Sequence, residues 1–250
     1  MLPVTDFEDA WQAWRDTRET RLRGPRGWLA IIAIHWLTDT PERYADVPGA
    51  WSGTATAATV TLDAGEALTV AGRLLETGTH DLGPVDEEGV RVEFGDAVAD
   101  VADRDGRTIV RPRHPDSPTL RAYRGTPCYA PDPAWALPGH FTAYDGPRGE
   151  AIGEVTFTHD GAEHRLVAWD DDEGGLWILF RDATSGVTTY PANRQLVVDP
   201  PAPDGTVTLD LNRAYNMPCA YTDFATCPLP PPENTLPFPV EAGERIPAFS

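Results

Sequence analysis

Seven residues separate Cys219 from Cys227 in the stretch NRAYNMPCAYTDFATCPLPPPENTLP, residues 212–237, and a proline stands beside each. A thiolate is a nucleophile and a soft metal ligand, so a pair of cysteines held close can attack, exchange disulfides or bind metal. The spacing matches neither a CxxC redox motif nor the paired knuckles of a structural zinc site, so no metal site is expected. Three readings of the pair stay open: buried inert thiols, a disulfide, or a nucleophilic thiolate at Cys219 or Cys227 that serves thiol redox chemistry. Arg213 lies in the same stretch, and Arg181 and Arg194 precede it near the ends of predicted strands. A guanidinium presents a planar fork suited to carboxylate or phosphate. One reading pairs these arginines with internal acids such as Asp182 and Asp210. The other assembles a pocket for a small anionic ligand, in which Arg194 and Arg213 take the charge and Tyr190, Asn212, Tyr215 and Asn216 supply oriented hydrogen bonds. His35 sits between Ile34 and Trp36, where a buried imidazole must find a partner and one facing a cavity suits a general base. His35 and Cys219 are therefore the candidate catalytic residues. His80, His159 and His164 lie beside turn residues and charges and read as solvated.

These side chains need a scaffold, and the pattern of the chain supplies one. Phe7, Ala10, Trp11 and Trp14 recur at helical spacing and predict a helix over 5–23, capped by Thr5 or Asp6 and stopped by Gly24 and Pro25. After Thr54 the texture changes to short β-branched or alternating runs such as ATVTL, VRVEF and RTIVRPR, separated by Gly, Asp and Pro. GEVTFTHDGAEHRLVAWDD reads as a hairpin, and GLWILFRDATSGVTTYPANRQLVV as another with ATSG at its turn. Pro230, Pro231 and Pro232 stiffen the end of the chain into an extended strap. The expected fold is mainly β, α+β by count: one antiparallel β-sandwich or partly open barrel as a single domain over 1–250, with the helix at 5–23, a β body at 54–211 and a Pro-rich strap at 212–247. PPENTLP is expected to turn through the side chain of Asn234.

Composition removes several function classes. The chain has 250 residues, 39 acidic against 20 basic, and a formal net charge of -19. That field repels phosphate backbones and anionic lipid, so neither nucleic acid nor a membrane is an expected partner. Every basic residue is arginine. The longest apolar run, WLAIIAIHWL, is far short of the ~20 residues that span a bilayer. The N-terminus lacks a basic start followed by an apolar run, so a cytoplasmic protein is expected. Walker, GxSxG, GxGxxG and HExxH motifs are absent from the sequence. Enzymatic activity, any cofactor and self-association are left open.

The blocks RGPRGWLAIIAIHWL, RPRHPDSPTLRAYRG, LFRDATSGVTTYPANRQL and LDLNRAYNMPCAYTDFATCPLPPPENTLPFPVEAGER resemble the bacterial and archaeal domain-of-unknown-function family 1684, from about Arg23 to Arg245. The resemblance implies a relationship and no reaction. Asn212, Arg213, Tyr215, Asn216, Cys219, Cys227 and the PENTLP turn stand where the family pattern has them. His114 stands in place of an expected Asp and Cys128 in place of an aromatic, so neither carries a family-wide role. A metal set completed by Cys128 and His140 loses support for that reason. The leading reading is a small-molecule-binding protein with its Arg/Tyr/Asn pocket between β body and strap. The alternatives are a structural or interaction module whose strap seals a sheet edge, and a thiol redox protein.

Overall fold

A computed structural model describes residues 4–54, 57–171 and 173–250. Their contacts gather into two compact units, the first made of residues up to Glu19 with Arg124–Ala220 and Cys227–Ala248, the second of Thr20–Tyr123, Tyr221–Thr226 and Phe249–Ser250. Strand accounts for 44% of the residues and helix for 16%, so the fold is mainly β; its sheets are antiparallel and one curls into a half-barrel. Among the described residues no helix is long and apolar enough to cross a membrane.

The helix α1 spans Val4–Arg23. It begins one residue before the expected cap, so Asp6 lies in its first turn, where a carboxylate complements the helix dipole. Of the residues expected to form its docking stripe, Trp11 and Trp14 do so, while Ala10 is exposed. Trp11 is 6% exposed and donates its indole N–H to the Asn212 carbonyl at 3.0 Å. Trp14 meets the Tyr215 ring edge-on at 6.3 Å.

In the second unit ten short strands follow one another: β1 (His35–Trp36), β2 (Glu42–Arg43), β3 (Ala50–Gly53), β4 (Ala57–Leu62), β5 (Leu68–Val70), β6 (Arg73–Leu75), β7 (Gly78–Pro84), β8 (Val90–Phe94), β9 (Ala97–Arg104) and β10 (Arg107–Arg113). They form sheets in the orders β1-β10-β9-β8-β5-β6 and β2-β3-β4-β7. Alternation along β4 buries Ala58, Val60 and Leu62, which join Trp51, Leu68, Val92 and Val101 in one core cluster.

The strand β11 (Tyr123–Gly125) begins in the second unit and ends in the first, which is built on β12 (Ala136–Arg148), β13 (Ala151–His159), β14 (Ala162–Asp170), β15 (Leu176–Phe180), β16 (Arg194–Val198), β17 (Thr206–Asp210) and β18 (Tyr215–Asn216). Seven of these make a sheet in the order β17-β12-β13-β14-β15-β16-β18. The β13–β14 hairpin turns at Asp160 and Gly161, with φ of 49° and 77°, the paired positive values of a turn whose twist matches the strands. The next pair differs from the sequence expectation. β15 and β16 do pair, from Leu176↔Val198 to Phe180↔Arg194, but residues 181–193 form a long folded loop and ATSG is only part of it. Buried Asp182 and Thr184 organise that loop from within, which a turn motif cannot show.

Candidate functional site

The carboxyl-terminal segment joins the first unit's core, with Leu236, Val240 and Ala242 in the same cluster as Leu166, Ile178 and Leu196. Apolar burial of this kind stabilises by about 1.5–3 kcal/mol per large side chain. Two polar devices fix the segment in register. Arg194 and Asp182, 1% and 0% exposed, meet at 2.8 Å. The Arg194 guanidinium also donates to the carbonyls of Ala242 and of Val240, the latter at 3.0 Å. The other Asp182 oxygen accepts from the amides of Thr184 at 2.7 Å and Val240 at 3.1 Å. Burial pulls the Arg194 pKa down, and the Asp182 carboxylate opposes that shift.

Asn234 is the second device. β14 and β15 pair only at Trp169↔Trp177 and Asp170↔Leu176, and the fully buried Asn234 takes over where the ladder opens. Its Oδ1 accepts from the Val167 amide at 2.7 Å, and its Nδ2 donates to the carbonyls of Val167 at 2.9 Å and Leu179 at 2.7 Å. A primary amide is the side chain that imitates a peptide group on both sides of such a gap. The expected self-contained turn at PPENTLP is therefore corrected: the Asn234 side chain stitches two strands. At the sheet edge, β18 pairs with β16 through Arg194↔Asn216 and Gln195↔Tyr215, so the segment also covers an edge.

The remaining polar residues singled out in the sequence fall beside these devices. Asn212 donates to the Asp132 carbonyl and to Asp210, both at 2.9 Å, and accepts from the Asp132 amide at 2.9 Å. Asn216 donates its backbone amide to the Glu244 carboxylate at 2.7 Å and its side-chain amide to the Arg245 carbonyl at 2.8 Å. The Arg18 guanidinium covers the Tyr215 ring at 4.5 Å and bonds Glu244 at 3.1 Å. Arg213 lies 3.2 Å from Asp210 with 42% of its side chain exposed. Arg194 and Arg213 thus take the internal partners Asp182 and Asp210. His35 belongs to the second unit and the other candidates to the first, and its Nε2 meets Asp46 at 2.7 Å.

The cysteines are of two kinds. None of the three forms a disulfide among the described residues. Burial and the nearby Glu244 charge push the Cys128 thiol up to about 12, which keeps it protonated and inert. Cys219 rides on a single 3₁₀ turn, Pro218–Ala220, and is half-buried. Its amide donates to the Cys227 sulfur at 3.2 Å. The Cys219 pKa is brought down to about 7, first by the hydrogen bond with the Cys227 thiol, against the opposing effect of burial, and then by the Tyr190 hydroxyl and nearby amides. The proton of that hydroxyl is directed at the Cys219 carbonyl, 2.7 Å away, which anchors the turn. Asn193, fully buried, donates to the Pro228 carbonyl at 2.8 Å and so fixes the chain one residue past Cys227. Its Oδ1 is buried with no hydrogen-bond partner among the described residues. Asn193 and the approach of Tyr190 were invisible in the sequence, since both come from the loop whose length a turn motif understated.

Among the described residues no group of three or more His, Cys, Asp or Glu side chains is placed to hold a metal. The family described as "Protein of unknown function (DUF1684)" matches residues 121–245, a shorter span than the blocks read from Arg23 onward. An uncharacterised protein of Haloarcula marismortui, solved by solution NMR, is 32% identical over 48% of this chain and 76% of its own, with a TM-score of 0.43. No curated protein matches the chain.

Proposed function

The chain belongs to the DUF1684 family of proteins of unknown function, and from that premise we propose that it is a thiol redox protein that exchanges disulfides through Cys219 and Cys227. The matched span contains both cysteines together with Tyr190 and Asn193. The observation that carries the reading is the contact between the two sulfurs' neighbourhoods: the Cys219 amide on the Cys227 sulfur at 3.2 Å, with the Cys219 thiol brought down to about 7. A thiol whose pKa lies near ambient pH is the best attacker, being substantially ionised and still nucleophilic.

Chemically, the Cys219 thiolate attacks one sulfur of a substrate disulfide. A mixed disulfide forms and the substrate's other sulfur leaves as a thiolate, which takes a proton from water. Cys227 then gives its proton to solvent and attacks the Cys219 sulfur, releasing the second substrate thiol and leaving a Cys219–Cys227 disulfide. Two electrons have passed from the protein to the substrate, and a small-molecule thiol such as glutathione returns them by the reverse exchange. Tyr190 holds the Cys219 turn and its sulfur in place throughout.

The anion-pocket reading has weaker support. Arg194 is buried with its NH1 and NH2 groups turned to Asp182 and backbone carbonyls, and Asn212 and Asn216 bond other parts of the chain. Arg213 alone keeps an exposed cation, and it pairs with Asp210.

The test is incubation of the native protein with oxidised glutathione followed by peptide mass mapping. Wild type should lose two hydrogens as a Cys219–Cys227 disulfide, and Cys227→Ser should retain one glutathione on Cys219. A pair that stays reduced in excess oxidised glutathione, or an adduct on Cys128 in preference to Cys219, would overturn the reading.

A further inference from the structure

The second unit holds a cleft of about 720 Å³, outside the span matched by the family. Arg43 and Glu66 stand on its rim, and each is engaged by the fold. Arg43 donates to Glu66 at 2.8 Å and to Asp63 at 2.5 Å. Glu66 also accepts from the amides of Gly49 at 3.1 Å and Asp63 at 2.7 Å. The hydrogen bond from Arg43 and these amides hold the Glu66 carboxyl down to about 2. This clamp ties the loop after β2 to the turn before β5 and sets the Arg43 cation against two carboxylates, so that it offers a ligand no unused cation.

Asp46 and His114 also line the cleft, and they differ from the clamp. One Asp46 oxygen meets His35 Nε2 at 2.7 Å, and the His35 ring lies face to face on Tyr44 with centroids 3.9 Å apart and planes at 11°. His35 comes from β1, which is registered on β10, so Asp46 is held by an imidazole fixed in the sheet. The second Asp46 oxygen makes no hydrogen bond among the described residues, and the side chain is 25% exposed. At His114, Nδ1 accepts from the Asp116 amide at 3.1 Å, which places the proton of the neutral ring on Nε2. Nothing among the described residues accepts from that nitrogen. Ile32, Val47 and Phe94 give the cleft an apolar wall.

A carboxylate oxygen, a ring N–H and an apolar wall without an unused cation are complementary to one class of ligand. We propose that this cleft binds a small organic amine with an apolar body and a hydrogen-bond acceptor: the ammonium on Asp46, the body on the wall, and the acceptor on His114. Anions are disfavoured by the same carboxylate and by the formal net charge of -19, which raises the local concentration of cations. Sequence reasoning left His35 open between a buried imidazole satisfied by a partner and a general base facing a cavity. In this assignment it is a positioning residue, acting through Asp46.

The experiment is a titration of the isotopically labelled full chain with tyramine, followed by amide chemical shifts, with 4-hydroxyphenylacetate as the anion of matching shape. Tyramine should move the amides of Tyr44–Pro48 and Gly65–Ala67 in a saturable way, and the acid should not. Asp46→Asn, which keeps a hydrogen-bonding side chain beside His35, should weaken tyramine by about tenfold. His114→Ala should weaken it less. Absence of saturable shifts, equal shifts with the acid, or an Asp46→Asn variant that binds tyramine as wild type does would overturn the assignment. The acid comparison is made on wild type and stands whether or not either variant folds.

Discussion

The two halves of the carboxyl-terminal segment use polar side chains to opposite ends. Around Asn234–Glu244 the polar side chains hold the segment to the fold: Arg194 closes on Asp182 and the carbonyls of Val240 and Ala242, with only its Nε left without a partner among the described residues, and Asn234 fills the opened ladder between β14 and β15. Around Cys219–Cys227 the bonds adjust chemistry, because they lower the pKa of a half-buried thiol and leave a buried Asn193 oxygen without a partner. Polar residues crowd both halves, so density of reactive types does not locate a site. What separates them is whether the hydrogen bonds tie one segment of the chain to another, as around Asn234, or lower the pKa of a thiol, as around Cys219.

The largest expected effect lies in the sealed half. Arg194→Ala leaves the Asp182 carboxylate buried without its cation and should cost about 3 to 5 kcal/mol in chemical denaturation. Loss of less than ~1 kcal/mol would mean that the pair does not fix the segment, and the contrast with the cysteine half would fail. Next comes Asn234→Leu, which fills a similar volume but strands the Val167 amide and the carbonyls of Val167 and Leu179. It should cost about 1 to 3 kcal/mol, with the thiol chemistry intact if the two halves are separable.

Much of the scaffold was legible because its signals are local. β4 alternates, the β13–β14 hairpin carries Asp-Gly, and the aromatic stripe of α1 repeats at helical spacing. Pairing of the arginines with internal acids such as Asp182 and Asp210 was also among the sequence readings, but which arginine takes which acid was settled by the fold, Arg194 with Asp182 and Arg213 with Asp210. The remainder depended on contacts between distant segments. Asn234 reaches Val167 across 67 positions, and no turn motif encodes that. Tyr190 reaches Cys219 across 29 positions, so the sequence left inert pair, disulfide and nucleophile open. The assignment of Arg194 to an anion pocket came from its residue type. Its 1% exposure and its backbone partners arise from the folded loop 181–193 and the returning segment, neither of which has a local signature.

The smallest effect in energy is the most direct test of the redox reading: native-state alkylation with iodoacetamide, mapped by mass and followed across about pH 5 to 10. The thiolate fraction rises with pH through the pKa, so Cys219 should label with a midpoint near 7 while Cys128, held to about 12, stays unlabelled through neutral pH. Cys227→Ala removes the largest stabiliser of the Cys219 thiolate and should move that midpoint upward. A wild-type Cys219 midpoint at the ordinary thiol value of about 8.5 or above, or labelling of Cys128 as fast as Cys219 at neutral pH, would contradict the account.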